Sequence, residues 1–313
     1  MNVMVLGAGG IGAIVGGRLA QYGCDVTFLV RERRKAQLDH DGLCIESPQG
    51  HAKLQVQSIL QADASTTPDL VLLTCKAYDL SSAIEAIRPA MGPNTAVLPL
   101  LNGIAHMDRL NREFGQARVL GGTIRMQATL TPTGTVRQLN DWQTLTFGEQ
   151  DGQTTDRVLA FQSALQPTGI EAKLSTSIMR ELWMKLVHLA TVASGTCLMR
   201  ANIGEIARTP EGTQLLNRLL QLNADIASHA GYPPDDAFLE GYRKLFATRD
   251  ATYEASMLRD LEKGGQVEVD QIVGFMLEQC RAAGKDDALH LAAYTHLKAY
   301  EQRRDAGRLP TKP

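Results

Sequence analysis

Val3-Met4-Val5-Leu6-Gly7-Ala8-Gly9-Gly10-Ile11-Gly12 is the stretch on which the reading of the chain turns. An apolar run leads into glycines spaced G-x-G-x-x-G at Gly7, Gly9 and Gly12, and small and aliphatic residues dominate from Ala13 to Tyr22. A buried strand, a tight turn and a helix are the expected products. Each glycine has a task there. Gly7 permits the turn, Gly9 lets backbone N–H groups reach a pyrophosphate, and Gly12 lets helix and strand pack closely. The helix N-terminus adds unsatisfied donors and a positive dipole end. Gly7, Ala8, Gly9, Gly10, Ile11 and Gly12 are thus the expected dinucleotide cradle, with a glycine-rich turn that binds nothing as the plainer alternative.

The next strand is expected over residues 26–30. About 20 residues after the glycines an NAD enzyme usually places Asp or Glu to bind the ribose 2′-OH. This chain has Arg31, followed by Arg33, Arg34 and Lys35. A carboxylate repels a 2′-phosphate, whereas a planar guanidinium binds it with paired N–H donors. NADPH is the expected cofactor and Arg31 its phosphate ligand; a solvated basic loop is the alternative.

Working outward, β-rich runs at 2–6, 26–30, 70–74 and 96–101 alternate with helical periods at 11–22 and 81–91, the pattern of a covered parallel sheet. Runs at 123–130, 135–139 and 144–147 read as an antiparallel extension of that sheet. From about residue 175 apolar residues recur three and four apart, as in Ile178, Leu182, Leu186 and Leu189. Pro167, Thr168 and Gly169 interrupt the pattern, so a domain boundary is expected near 169–175. The chain then divides into an α/β dinucleotide-binding domain, 1–170, and an all-α domain, 171–313. The polar tail from 303, ending in Pro310-Thr311-Lys312-Pro313, is expected to fray.

Composition bounds the partners. The 313 residues are 44% hydrophobic and 21% charged with a formal net charge of −2, which gives no pull toward nucleic acid or anionic membrane. No apolar run approaches the roughly 18 residues that span a bilayer, and the first residues lack the basic region of a signal peptide. The five cysteines are scattered; reduced thiols in a cytoplasmic protein are expected. The histidines form no HExxH or similar cluster, so no metal is expected.

Several strings resemble one family, the ketopantoate reductases (2-dehydropantoate 2-reductases), from residue 1 to about 301. They are the glycine motif with Arg31, Cys75-Lys76-Ala77-Tyr78, Leu101-Asn102-Gly103, Arg180-Glu181-Leu182-Trp183-Met184-Lys185-Leu186, Ser256-Met257-Leu258-Arg259-Asp260, and Glu268-Val269-Asp270. The resemblance implies a Rossmann-type domain followed by an all-α domain of the 6-phosphogluconate dehydrogenase C-terminal type; the helical second domain offers surfaces for a homodimer. It implies NADPH-dependent reduction of a small 2-oxo acid, ketopantoate, to a 2-hydroxy acid on the route to pantothenate and coenzyme A. Lys185 would be the general acid, stabilising and protonating the developing alkoxide. Glu268 would lie near this lysine and the cofactor, and Ser256 would bind the substrate carboxylate. Lys76 and Asn102 would face cofactor and substrate, and Ala128 would touch the cofactor through its backbone. Plainer roles stand beside these. Lys185 is spaced i,i+4 from Glu181 as a surface helix pair, and Glu268 suits the first turn of a helix. Ser256 reads as an ordinary mid-helix serine, Asn102-Gly103 as a simple turn, and Trp183 as core.

The match also departs from the family. Four and eight residues after the lysine, where the family places asparagines that bond substrate hydroxyls, stand Leu189 and Ala193. His188 lies one turn from Lys185, Asn202 is offset from a third family asparagine, and Tyr253 occupies the polar position three before the serine. Asp286-Asp287-Ala288 replaces a Pro-x-Asn. A site built to hydrogen-bond a substrate hydroxyl loses heavily when the partner group is missing, so a more apolar 2-oxo acid is the alternative substrate. A non-catalytic NADPH-binding regulator is the alternative from another class.

Overall fold

A computed structural model describes residues 1–64 and 67–309. Its strands are β1 (Asn2–Leu6), β2 (Asp25–Leu29), β3 (Leu43–Glu46), β4 (Ala52–Leu54), β5 (Gln57–Ile59), β6 (Leu70–Leu73), β7 (Ala96–Pro99), β8 (Gly121–Arg125), β9 (Ala128–Leu130), β10 (Val136–Gln138), β11 (Thr144–Gly148) and β12 (Glu171–Leu174). Among them lie α1 (Gly10–Gln21), α2 (Glu32–Asp41), α3 (Leu80–Ile87), α4 (Ala105–Phe114) and α5 (Asp156–Leu165). The helices that follow are α6 (Ile178–Met199), α7 (Ile203–Ala207), α8 (Gly212–His229), α9 (Asp236–Ala247), α10 (Ser256–Glu262), a π-helical turn (Asp270–Gly274), α11 (Phe275–Ala282) and α12 (Ala288–Asp305).

Contacts divide the chain into two units, one of residues 1–102 and 106–182, the other of 103–105 and residues from Trp183 onward. The sequence reading put the boundary at 170/171. The difference lies in β12, which pairs with β11 and so belongs with the first unit.

In the first unit the main sheet is parallel, ordered β5-β2-β1-β6-β7. Counted by these strands alone that is 3-2-1-4-5, a doubly wound Rossmann-type order with β1 at its centre. Leu70 to Leu73 are all at most 2% exposed, as expected of a strand covered on both faces. The later β runs do not extend this sheet. Residues 123–130 split into two strands that part company: β8 joins β11 and β12, while β9 joins β10, β3 and β4. The break is held at Gln127, whose N–H donates to the Asn140 Oδ1 at 2.8 Å and whose carbonyl accepts from the Leu139 N–H at 2.7 Å. Phe147 and Phe161 meet edge to face at 4.9 Å beneath the smaller sheet. Buried Glu149 accepts from Arg157 Nε at 2.7 Å and from Thr155 Oγ1 at 2.5 Å.

The second unit is all helical. By length and mean hydropathy α6 could cross a bilayer, but Arg180, Glu181 and Lys185 interrupt it and 67% of its apolar stretch is buried inside the protein, as in a core helix. Asn223 of α8 is fully buried and donates through Nδ2 to Thr191 Oγ1 of α6 at 2.9 Å. Trp183 is 6% exposed, stacked on Tyr232 with centroids 5.9 Å apart and tilted against Phe275 at 6.0 Å. It is a core residue, as expected. Of the polar tail, α12 continues to Asp305; the Pro-Thr-Lys-Pro end lies outside the described residues.

His290 of α12 has 0% exposure, and neither ring nitrogen has a hydrogen-bond partner among the described residues. Burial pushes its pKa down to about 4, with Asp287 opposing the shift weakly. The unfolded imidazole takes a proton below about 6.5, while the folded one does so only near 4. Stability contributed by the neutral ring is therefore intact above pH 6.5 and falls as pH drops toward 4. Between pH 7 and 5 this residue is expected to cost about 2 kcal/mol. His290→Leu should bring the urea midpoints at the two pH values closer together; an unchanged gap would contradict the assignment.

Candidate functional site

The first unit leaves open space beside the turn at the carboxyl end of β1. Gly7 sits at φ +93°, a left-handed value that other residues rarely adopt, and its N–H donates to the Leu29 carbonyl at 3.0 Å. A Cβ on Gly12 would lie 2.1 Å from the Gly7 carbonyl oxygen and 2.3 Å from Thr74 Oγ1. Thr74, which the sequence reading did not single out, donates its hydroxyl to the Leu6 carbonyl at 2.8 Å and ties the end of β6 to the turn. Gly9 is different: a Cβ there would meet nothing within 4 Å. It is the N-cap of α1, which has no side-chain cap and no acid in its first turn. Donors left uncapped beside open space are what an anion needs.

Of the other predicted cofactor residues, Ala128 lies against this turn, and Arg31, Lys76 and Asn102 follow neighbouring strands. A Cβ on Gly10 would fall 2.8 Å from the Ala128 carbonyl oxygen, so the structure brings β9 against the cradle at the expected residue. Ala8 is buried, its carbonyl accepting from Arg34 Nε at 3.0 Å, while Arg34 Nη1 donates to the Gly134 carbonyl at 2.8 Å. Arg34 is therefore a brace of the turn, and burial holds its pKa below the ordinary arginine value. Ile11 is half-buried in the first turn of α1. Arg31 remains at the surface beyond β2, its side chain 78% exposed, with Nη2 donating to Asp79 Oδ1 at 3.0 Å. Asp79 was missed in the sequence, where its only signal is its place three residues after Lys76. Lys76 is exposed just beyond β6, and Asn102 is half-buried beyond β7.

The second unit carries the residues expected to do chemistry. Lys185 is half-buried on α6, and Glu268 is 8% exposed just ahead of the π-helical turn. A Cβ on Gly103, at φ +85°, would lie 2.8 Å from the Gln271 carbonyl of that turn, so this glycine is a tight packing point as well as a bend. Ser256 is not in mid-helix. It is exposed and opens α10, because the segment before it is held extended: the Ile203 and Gly204 N–H groups donate to the Tyr253 and Ala251 carbonyls at 2.9 and 2.8 Å. Tyr253 Oη and His188 Nε2 are hydrogen-bonded at 2.8 Å. The His188 ring also stacks on Tyr242 at 4.6 Å and lies nearly parallel to Tyr253 at 5.7 Å. This pair joins the segment of Ser256 to the helix of Lys185. Leu189 is half-buried and Ala193 is 2% exposed. Asn202 is occupied otherwise, in a capping box with Glu205 at the start of α7.

Comparison with known proteins follows the same division. The family described as "Ketopantoate reductase PanE/ApbA" matches residues 3–152, and "Ketopantoate reductase PanE/ApbA C terminal" matches 177–301. The chain is 31% identical over 301 residues to the uncharacterized oxidoreductase YkpB of Bacillus subtilis, covering 96% of this chain and 99% of that protein. It is 30% identical over 285 residues to a 2-dehydropantoate 2-reductase of Halobacterium salinarum, covering 90% and 92%. A PanE/ApbA family ketopantoate reductase from Ralstonia eutropha superposes with a TM-score of 0.88 at 22% identity, over 97% of this chain and 100% of the other. D-mandelate dehydrogenase solved with NADH and anilino(oxo)acetate superposes at 0.85 and 20% identity, over 97% and 100%.

The two glycines predict opposite failures. Gly12→Ala should cost about 3 kcal/mol or more, since backbone cannot yield at 2.1 Å. Gly9→Ala should stay within about 1 kcal/mol of the parent in denaturant yet lose dinucleotide binding by calorimetry. Undiminished binding by Gly9→Ala would show that the opening is not the phosphate site.

Proposed function

Because the chain belongs to the ketopantoate reductase family, and is thus an oxidoreductase, we propose that it reduces a 2-oxo acid to the 2-hydroxy acid with NADPH. The observation that carries this reading is the uncapped, open glycine turn at Gly9. Gly7 to Gly12 and the Ala128 backbone hold the pyrophosphate, and Arg31 receives the 2′-phosphate. Lys76, Asn102 and Glu268 complete the coenzyme's contacts. Ketopantoate is the first substrate to test, as the activity named for the relatives. Thiols at all five cysteines suit a reducing compartment such as the cytoplasm.

When bound, the coenzyme supplies hydride to the ketone carbon. The chain's own residues do the rest. Ser256 donates its hydroxyl to the substrate carboxylate and Asn102 adds an amide contact, which fixes the acid for reaction. The Lys185 ammonium donates to the ketone oxygen, stabilises the charge that develops there and passes it a proton. Buried Glu268 is assigned, as the family resemblance implies, to orient the Lys185 ammonium through a charge-assisted hydrogen bond.

One observation favours a second reading of the substrate. Tyr253 and His188 hydrogen-bond each other with their rings nearly parallel, one turn from Lys185, where Leu189 and Ala193 carry no hydrogen-bonding group. Such a wall accepts a flat or branched apolar group and offers little to hydroxyls. An aryl or branched-chain 2-oxo acid then replaces ketopantoate, in keeping with the D-mandelate dehydrogenase among the fold neighbours.

NADPH oxidation against ketopantoate, 2-oxoisovalerate and phenylglyoxylate separates the readings. Ketopantoate should lead in kcat/KM under the first and trail by about tenfold or more under the second; turnover of none removes the reductase. Lys185→Ala should lower kcat by a factor on the order of 100 to 10,000 with coenzyme affinity nearly unchanged. Lost coenzyme affinity instead would mean that its role is misassigned.

A further inference from the structure

Beyond the ends of β2 and β6, the two strands that flank β1, a cation and an anion reach toward each other. Arg31 starts α2 and Asp79 starts α3, so both backbones are held by helices. Their side chains meet at 3.0 Å although 48 residues separate them in the chain. The pair spans the carboxyl end of β1, where an open α/β sheet binds its ligand.

Asp79 ends a 3-10 turn (Ala77–Asp79) that leads straight into α3. Its carboxylate makes no cap bond to that helix and accepts from Arg31. The ion pair is exposed, so little stability accrues from it. Placed there, the carboxylate meets whatever the adenosine ribose carries.

We propose that Asp79 sets the coenzyme preference of this chain, accepting from the ribose 2′-OH of NADH and opposing the 2′-phosphate that Arg31 attracts. The inference rests on the coenzyme reading above and goes beyond it. A lone arginine selects NADPH, and a lone carboxylate selects NADH. Here both sit at one place. Arg31 retains N–H donors beyond the one given to Asp79, since a guanidinium carries five. It therefore binds phosphate while the carboxylate beside it repels the same group. The outcome is a chain that takes both coenzymes, with the NADPH preference held down by Asp79.

The test is the dissociation constant of NADPH and of NADH, read by nicotinamide fluorescence on the full chain at fixed ionic strength. Asp79→Asn keeps the shape and helix-start preference of the residue and removes only the charge. It should raise the ratio of NADPH to NADH affinity by about fivefold, through tighter NADPH and weaker NADH, the upper scale of one exposed charge contact. Asp79→Ser should move the ratio in the same direction, which guards against an Asn variant that folds poorly. Arg31→Ala should shift it the opposite way, weakening NADPH about tenfold or more with NADH little changed. A ratio within twofold of the parent for both Asp79 variants, with both coenzymes still bound, overturns the inference and leaves the coenzyme reading intact. Failure of the unaltered chain to bind either coenzyme overturns the reading itself, and the inference with it.

Discussion

The α1 backbone approaches the end of β1 only because position 12 has no Cβ. At 2.1 Å from the Gly7 carbonyl and 2.3 Å from the Thr74 hydroxyl, a methyl group has no space, and both neighbours are fixed by hydrogen bonds of their own. Much of the first unit follows from that approach. It aims the uncapped helix end at the opening beside Gly9, and it carries α1 onto β9 at Ala128. It also leaves the loops after β2 and β6 on either side of the cradle, where Arg31 and Asp79 meet. One steric constraint thus positions both the uncapped helix end and the Arg31–Asp79 pair, the two features on which the coenzyme proposal rests.

The proposed function divides the chemistry between the two units. The first holds the uncapped backbone donors of α1 and a surface arginine, assigned to the coenzyme. The second holds Lys185, Glu268 and Ser256, assigned to the reacting ketone and its carboxylate. In that unit Tyr253 and His188 hydrogen-bond each other, and the His188 ring stacks on Tyr242. Under the proposed function, reaction type rests on one set of residues and substrate identity on another.

Local pattern was enough for some of this. The glycine spacing located the strand, turn and helix of the cradle to within a residue, because steric rules for glycine are local. The four apolar runs of the parallel sheet and the helical second half were readable for a similar reason, since periodicity reports burial directly. The failures share a cause as well. Residues 123–130 have the composition of one strand, but which sheet a strand joins is a tertiary choice, and the Asn140 amide that pins Gln127 lies far along the chain. Ser256 was set in mid-helix because nothing near it in sequence says that Ile203 and Gly204 hold the preceding residues extended. Asp79 and Tyr253 gained meaning only through partners 48 and 65 residues away.

Direct transfer of hydride to a 2-oxo acid is the central claim, and isotope transfer tests it without reliance on rates. The chain is incubated with NADPH deuterated at C4 of the nicotinamide and with the 2-oxo acid it turns over, and the product is analysed by mass spectrometry. The account predicts a 2-hydroxy acid with one deuteron on C2 from one of the two C4-labelled epimers. A 2-hydroxy acid that carries no deuterium from either epimer, or no hydroxy acid at all, would contradict it.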